Sequence, residues 1–351
     1  MNTSSQRIFY LVRAAICCVF VLGCKGPDQR IDMERRMEKM KTVCVGRFLI
    51  DIPQNAIVSY RGASLSGWDI SSWIESDEKF FARSTKEETE LNDERNEKGG
   101  VSLEQIRELK NDHLQGRIFV FNRKWLEMFP RGVRTESQVV AIRAYVRIQD
   151  VTYRFYSKIR FDTDVDELQK IIGQLRVRGA DEIPTQAGFC FKRALLVEPL
   201  DADQSEYTAM FVGLKDHPDL AIALSTTAGI VPTKSLLQRD AENSVKIEYR
   251  SRFHTLRKGP RALNGIPGEE FMERVDEHNG SVLHDFMWES LNNKHDVYLP
   301  FLTFELNTGN GKPGSPVNSS LSDPEVLALW EKMTNSLRVR PISASTSTDR
   351  E

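Results

Sequence analysis

CVGRFLIDIP, residues Cys44–Pro53, returns at Cys190–Pro199 as CFKRALLVEP. Both strings have Arg three positions after the Cys, Leu two positions later, an apolar run, and Pro nine positions from the Cys. A second tetrapeptide also occurs twice: LRVR at Leu175–Arg178 and at Leu337–Arg340, each at the end of an amphipathic stretch and each followed by a Gly or Pro stop. The order is opener, closer, opener, closer, which is the self-similarity that marks an internal duplication. The Cys-to-Leu intervals are 131 and 147 residues, a difference of one loop. The chain therefore reads as two copies of one domain.

Both copies carry the same sequence of patterns. In the first, TVCVGRFLIDIP and Ile57–Tyr60 read as strands, and the charged stretch from Ser76 to Glu97, with Phe80, Phe81 and Leu91 in one stripe, reads as a helix ended by Gly99-Gly100. GRIFVFNR, SQVVAIRAYVRIQ and VTYRFYSKIRF then alternate apolar and polar residues, with a hairpin turn at Gln149-Asp150. DVDELQKIIGQLRV closes the copy as an amphipathic helix. The second copy has strands at CFKRALLVEP, EYTAMFVGL and LAIALSTTA, and a helix from about Thr233 towards Leu256. EEFMERVD and SVLHDFMWES follow across an Asn279-Gly280 turn, then LPFLTFELNTG and a helix from Pro324 to Leu337. The fold class is α+β: two tandem, similar domains, each an antiparallel sheet with helices packed on one face and each burying its own core. Whether the two sheets fuse is left open.

The expected organisation is a signal peptide at 1–23, a polar tether at 24–41, the first repeat at 42–180, a linker at 181–188, the second repeat at 189–341 and a disordered tail at 342–351. At 351 residues, 40% hydrophobic and 28% charged, the composition is that of a globular protein large enough for two domains. Arg7 and Arg13 precede AAICCVFVLGC, an apolar stretch too short to span a bilayer and suited to a secretory leader. Its end, Val21-Leu22-Gly23-Cys24, resembles the bacterial lipoprotein box, which makes Cys24 the lipidated N-terminus of the mature chain and places that chain in the periplasm. Lys25 after the Cys, where an inner-membrane signal has Asp, points to the outer membrane. Loss of Arg7 and Arg13 leaves 46 basic against 50 acidic groups, a charge of −4, with no basic stripe for nucleic acid.

Export fixes the cysteine arithmetic. Cys17 and Cys18 leave with the leader and Cys24 carries lipid, so Cys44 and Cys190 remain in an oxidising compartment. They are equivalent positions of the two repeats, and a pseudo-twofold arrangement would join them as a disulfide between the halves. The alternative is two thiols, one buried in each core.

Catalytic patterns are absent. Ser64 in GASLSG lacks the Gly two residues on that a nucleophile elbow needs. His113, His217, His254, His278, His284 and His295 show no metal-ligand spacing, and His278 and His284 should flank the Asn279-Gly280 turn at exposed or half-exposed strand positions. Glu269 and Glu270 stand on a strand and so face opposite ways, which rules out an acid/base couple and leaves one of them to pair with Lys258 or Arg261. No catalytic residue, metal site or cofactor is expected.

The lipobox Val21–Cys24, the two Cys openers, and the GPRALNGIPGEE segment followed by a hairpin and a helix ending in LRVR together resemble the Tle cognate immunity family. These are periplasmic lipoproteins that neutralise type VI secretion phospholipase effectors, here of the class-four lipase group. The resemblance spans residues 40 to 341. It implies a non-catalytic protein whose partner is a secreted lipase of α/β-hydrolase type, occluded before it reaches membrane phospholipid. Trp68, Trp73, Trp125, Arg131 and Arg134 are the aromatic and Arg candidates for contact in the first copy, without an interface being assigned. A lipid-anchored envelope structural or assembly protein is the alternative reading.

Overall fold

The structure is a computed structural model and describes residues 39–198, 204–229, 232–291 and 296–341. The leader, most of the tether, Cys24 and the tail from 342 lie outside the described residues.

The first half contains β1 (Met40–Val45), β2 (Phe48–Pro53), β3 (Ile57–Tyr60), β4 (Ala63–Leu65), β5 (Trp68–Ile74), α1 (Asp77–Asp93), β6 (Leu103–Lys110), β7 (Gln115–Met128), β8 (Thr135–Ile148), β9 (Val151–Arg160), α2 (Asp164–Gly173) and β10 (Leu175–Val177). The second contains β11 (Gly188–Phe191), β12 (Ala194–Val197), β13 (Glu206–Leu214), β14 (His217–Ala228), α3 (Leu236–Ala241), α4 (Ser244–Glu248), β15 (Phe253–Pro260), β16 (Gly268–Asp276), β17 (Val282–Ser290), β18 (Phe301–Asn307), α5 (Asp323–Thr334) and β19 (Arg338–Val339).

The question of sheet fusion is settled by a single antiparallel sheet of thirteen strands that runs through both halves. Its order is β15-β16-β17-β18-β14-β13-β4-β5-β9-β8-β7-β6, with β3 also on β13. Counted by repeat position, β15 to β18 answer to β6 to β9, β14 to β5 and β13 to β4, so the order is a palindrome about the β13–β4 seam. At that seam Glu206 stands opposite Leu65 and Tyr207 opposite Ser64. Turn chemistry sets the hairpins: Gln149 takes φ 56 between β8 and β9, and Ser66 and Gly67 both take positive φ between β4 and β5. The Asn279-Gly280 turn joins β16 to β17 as the sequence predicts.

The openers do not stay with their own copies. β1 and β2 form a hairpin across Gly46-Arg47, and β2 pairs with β19, the closer of the second copy. β11 and β12 form the matching hairpin across Lys192-Arg193, and β12 pairs with β10, the closer of the first. The apolar faces follow the pairing. Val43, Val45, Phe48, Ile50 and Ile52 pack among Phe286, Trp288, Phe304, Leu306 and the α5 residues Leu329, Trp330 and Met333. Phe189, Phe191, Ala194 and Leu196 pack among Ile118, Val120, Ile142, Ala144 and the α2 residues Leu168, Ile171 and Ile172. Each core is thus composite, where the sequence predicts two self-contained ones. The LRVR tetrapeptides are short strands rather than helix ends, and they are the elements that receive the exchanged hairpins. The exchange is symmetric in detail: the Arg178 amide donates to the Arg193 carbonyl at 3.0 Å, and the Arg340 amide to the Arg47 carbonyl at 2.9 Å.

In the α+β class the helices divide between faces. α2 and α5 cover one face of each half together with the exchanged hairpin, and α1 lies on the other face of the first half, over Phe119, Phe121 and Tyr145. Strand alternation explains this, because Phe119 and Phe121 point opposite to Ile118 and Val120. The long helix predicted from Thr233 is two short ones followed by a strand. The Asn243 side chain accepts from the amides of Val245 and Lys246 and so starts a new helix, and Phe253–Pro260 joins the sheet edge as β15.

Candidate functional site

Along each opener hairpin alternate residues face away from the core, and those faces meet. Cys44, Leu49, Cys190 and Leu195 form a small apolar cluster between the two hairpins, with both Cys fully buried. Cys44 and Cys190 are bonded, their Cα atoms 6.0 Å apart, and Gly46 and Cys190 exchange two backbone hydrogen bonds of 2.8 Å beside the bond. The disulfide is therefore present, and separate thiols are not.

None of the other residues weighed in the sequence gathers into a chemical centre. Ser64 lies within β4, half-buried and in register with Asp69, not at a tight turn. Among the described residues no group of three His, Cys, Asp or Glu side chains could hold a metal ion. His284 is buried, contrary to its expected exposure: its ring lies 2.9 Å from both the Thr308 hydroxyl and the Asp323 carboxylate at the start of α5. His113 and His278 are exposed, His217 contacts the Ser320 hydroxyl, His254 pairs with Asp276, and His295 lies outside the described residues. Glu270 takes the pairing expected of it with Arg261 at 2.7 Å, adds Arg257, and accepts from the Trp330 indole. Glu269 faces the other way and accepts from the Leu237 amide.

Of the aromatic and Arg candidates, Trp68 is core, with the Arg160 guanidinium 4.0 Å from its ring centre. Trp73 and Trp125 are half-buried under Arg83 and Lys98. Arg131 and Arg134 are exposed at the β7–β8 hairpin tip, beside Phe129 and Val133, each 62% exposed.

One concavity among the described residues was not visible in the sequence. It is a cleft of about 700 Å³ at the junction of the halves, open where β3 and β5 part. Val43, Val58, Tyr60, Ile74, Val151 and Val177 give it apolar walls. Four cationic residues line it, Lys41, Arg178, Lys192 and Arg193, against two acids, Asp150 and Asp181. Lys41 lies 3.6 Å from Asp181. Arg178 is 3% exposed and donates to the carbonyls of Glu182 and Phe191. Burial pushes the phenol of the neighbouring Tyr153 up, against the opposing pull of Arg193 and Arg178.

Arg47 is the repeat counterpart of Arg193, and its surroundings are different. It is 8% exposed, meets Glu206 through two hydrogen bonds of 2.8 and 3.1 Å, pairs with Glu198, and stacks 4.7 Å from the Tyr298 ring centre. Burial works against its charge, but the two carboxylates outweigh that and hold its proton more firmly than usual.

Comparison with known families finds the two domains of one family in tandem along the chain. The N-terminal domain of Tle cognate immunity protein 4 matches residues 41–178, and its C-terminal domain matches residues 182–342. The chain belongs to the Tle cognate immunity protein 4 family. The fold agrees with that membership. The apo structure of the type VI secretion immunity protein TplEi from Pseudomonas aeruginosa is 26% identical, with a TM-score of 0.72 over 88% of this chain and 100% of that one. The same protein complexed with "L" peptide gives 25%, 0.69, 86% and 98%. A chain of the Tle4–Tli4 complex gives 26%, 0.72, 88% and 99%. No curated protein matches the chain by sequence. Family members are immunity proteins.

Proposed function

We propose that this chain is an immunity protein that binds a cognate type VI secretion lipase effector of α/β-hydrolase type and occludes it in the periplasm. It protects the producing cell and its kin from phospholipid hydrolysis, and it does so without chemistry of its own. The observation that carries this reading is the match of both halves, in order, to the two domains of one immunity family, supported by a fold shared with a chain of the Tle4–Tli4 complex. The lipobox at Val21–Cys24 supports anchoring through Cys24, to the outer membrane given Lys25. An anchor of that kind holds the inhibitor beside the lipid that the effector attacks. Two linked halves also suit inhibition, because a second contact forms at high effective concentration once the first is made.

The test is gel filtration and a phospholipase assay of a type VI lipase effector from the same cell, with and without the chain from Lys25 onward. A stable complex with stoichiometric loss of activity is expected. Separate elution with undiminished lipase activity overturns the proposal. Metabolic labelling with palmitate, lost on Cys24→Ala, tests the anchor.

A further inference from the structure

We infer that the cleft between β3 and β5 receives an extended, acidic segment of the bound effector, which adds to β3 as a strand and places carboxylates on Lys192 and Arg193. The inference rests on the immunity reading and names where and how the partner engages.

Three observations meet at this site. The first is an open strand edge. Among the described residues β3 pairs as a strand only with β13, with Tyr60 opposite Met210 and Val58 opposite Val212. The Arg61 amide donates to the Ala209 carbonyl at 3.0 Å in the same register. Consecutive residues of an antiparallel ladder alternate between neighbours, so Val58 and Tyr60 turn their N–H and C=O groups away from β13. Both residues line the cleft. An unpaired strand edge is a template for an added strand, with affinity from main-chain hydrogen bonds and specificity from side-chain pockets.

The second observation is charge. Lys192 and Arg193, both half-buried at the cleft, make no ion pair with any described residue, while the buried Arg178 is held by backbone carbonyls just as its repeat counterpart Arg340 is. The third is the internal duplicate: Arg47, which occupies the Arg193 position of the other hairpin, has two carboxylates, Glu198 and Glu206. One hairpin turn is thus completed by the chain's own acids, and the other lacks them. A partner strand bearing acidic side chains completes it. The apolar wall of Val43, Val58, Ile74 and Val151 takes the alternate side chains of such a strand.

The experiment uses the chain from Lys25 onward and the lipase captured with it, followed by overlapping twelve-residue peptides that tile that lipase, read by fluorescence anisotropy. Lys192→Glu with Arg193→Glu is expected to weaken lipase binding at least about tenfold, as loss and reversal of close charge pairs does. Val58→Pro removes an N–H that faces the cleft and not the β13 ladder, so it should lower affinity while leaving the melting temperature near that of the parent. Amide exchange at Val58 and Tyr60 should slow only in the complex, and the tightest peptide should be acidic. Full-strength lipase binding by both variants overturns the inference and leaves the immunity reading standing, whereas failure of the parent chain to bind the lipase overturns both. Binding of phosphatidylglycerol vesicles that is lost in the charge-reversed variant, with no peptide bound, also overturns it and assigns the cations to lipid.

Discussion

Phe48→Ala tests the exchange of hairpins most directly. Phe48 lies in the first copy by sequence, is 2% exposed, and packs in the core built around β17, β18 and α5 of the second. A phenyl ring withdraws about 150–200 Å² from water, which at about 25 cal/mol per Å² is about 4–5 kcal/mol, within the range of measured Phe→Ala losses. The assay is native-state hydrogen exchange read by peptide mass spectrometry. Protection should fall first in Val282–Ser290, Phe301–Asn307 and Asp323–Thr334, while Gln115–Arg160 keeps most of its own. Phe189→Ala, at a site 1% exposed in the other core, should do the reverse and loosen β7 to β9 and α2. The reasoning fails if Phe48→Ala loosens the first half of the sheet, or if the two variants give the same exchange map.

Opening the Cys44–Cys190 bond by Cys→Ala at both positions removes a cross-link over 146 residues, for which the chain-entropy relation gives up to about 5 kcal/mol; urea melts should show a fall of several kcal/mol, and a fall under about 1 would contradict the loop argument. Burial raises the Asp285 carboxyl to about 6, aided by Glu273, Glu305 and Asp240 and opposed by Lys246. A folded value above the unfolded one means its contribution is present below about pH 4 and lost as pH rises through about 6, so Asp285→Asn should stabilise the chain on the order of 2 kcal/mol at pH 7.5 and hardly at pH 4. Urea melts of both proteins at the two pH values decide it, and equal differences at both would contradict the sign. Glu270→Ala removes the buried carboxylate shared by Arg257, Arg261 and the Trp330 indole, both Arg keeping Glu331, and should cost about 1–3 kcal/mol; an unchanged melt would show that Glu270 does not tie the cluster together.

Much of this architecture was legible because it is local. Gln149-Asp150 and Asn279-Gly280 are turns, and α2 and α5 carry the apolar spacing that buries Leu168 and Ile171 or Leu329 and Met333, whereas each opener, which reads as one strand, is a hairpin that turns at Gly46-Arg47 or Lys192-Arg193. The Glu270–Arg261 pair could be anticipated from strand alternation. What sequence could not give is partnership between distant segments. Leu175 and Leu337 end amphipathic runs and so read as helix, yet each begins or adjoins a strand whose partner is the other copy's hairpin. His284 read as exposed because the Thr308 and Asp323 that bury it come from 24 and 39 residues further on. The cleft was invisible for the same reason. Its lining comes from β1, β3, β5, the β8–β9 turn, the residues after β10 and the β11–β12 turn, and no contiguous string signals that β3 and β5 part.

The crossed hairpins also govern the order of events when the chain is made. Residues 40–53 open the first repeat, but their sheet partner is Arg338-Val339, and the contact between Arg338 and Asp51 spans 287 residues. The first half in turn cannot close until Gly188–Val197 has been synthesised. Neither half is a finished body at any intermediate length, and the whole must wait for almost its last strand. Slow closure of so long a loop is the kinetic cost of high contact order. Cutting the chain at the linker would yield two fragments, each lacking two strands of its own core.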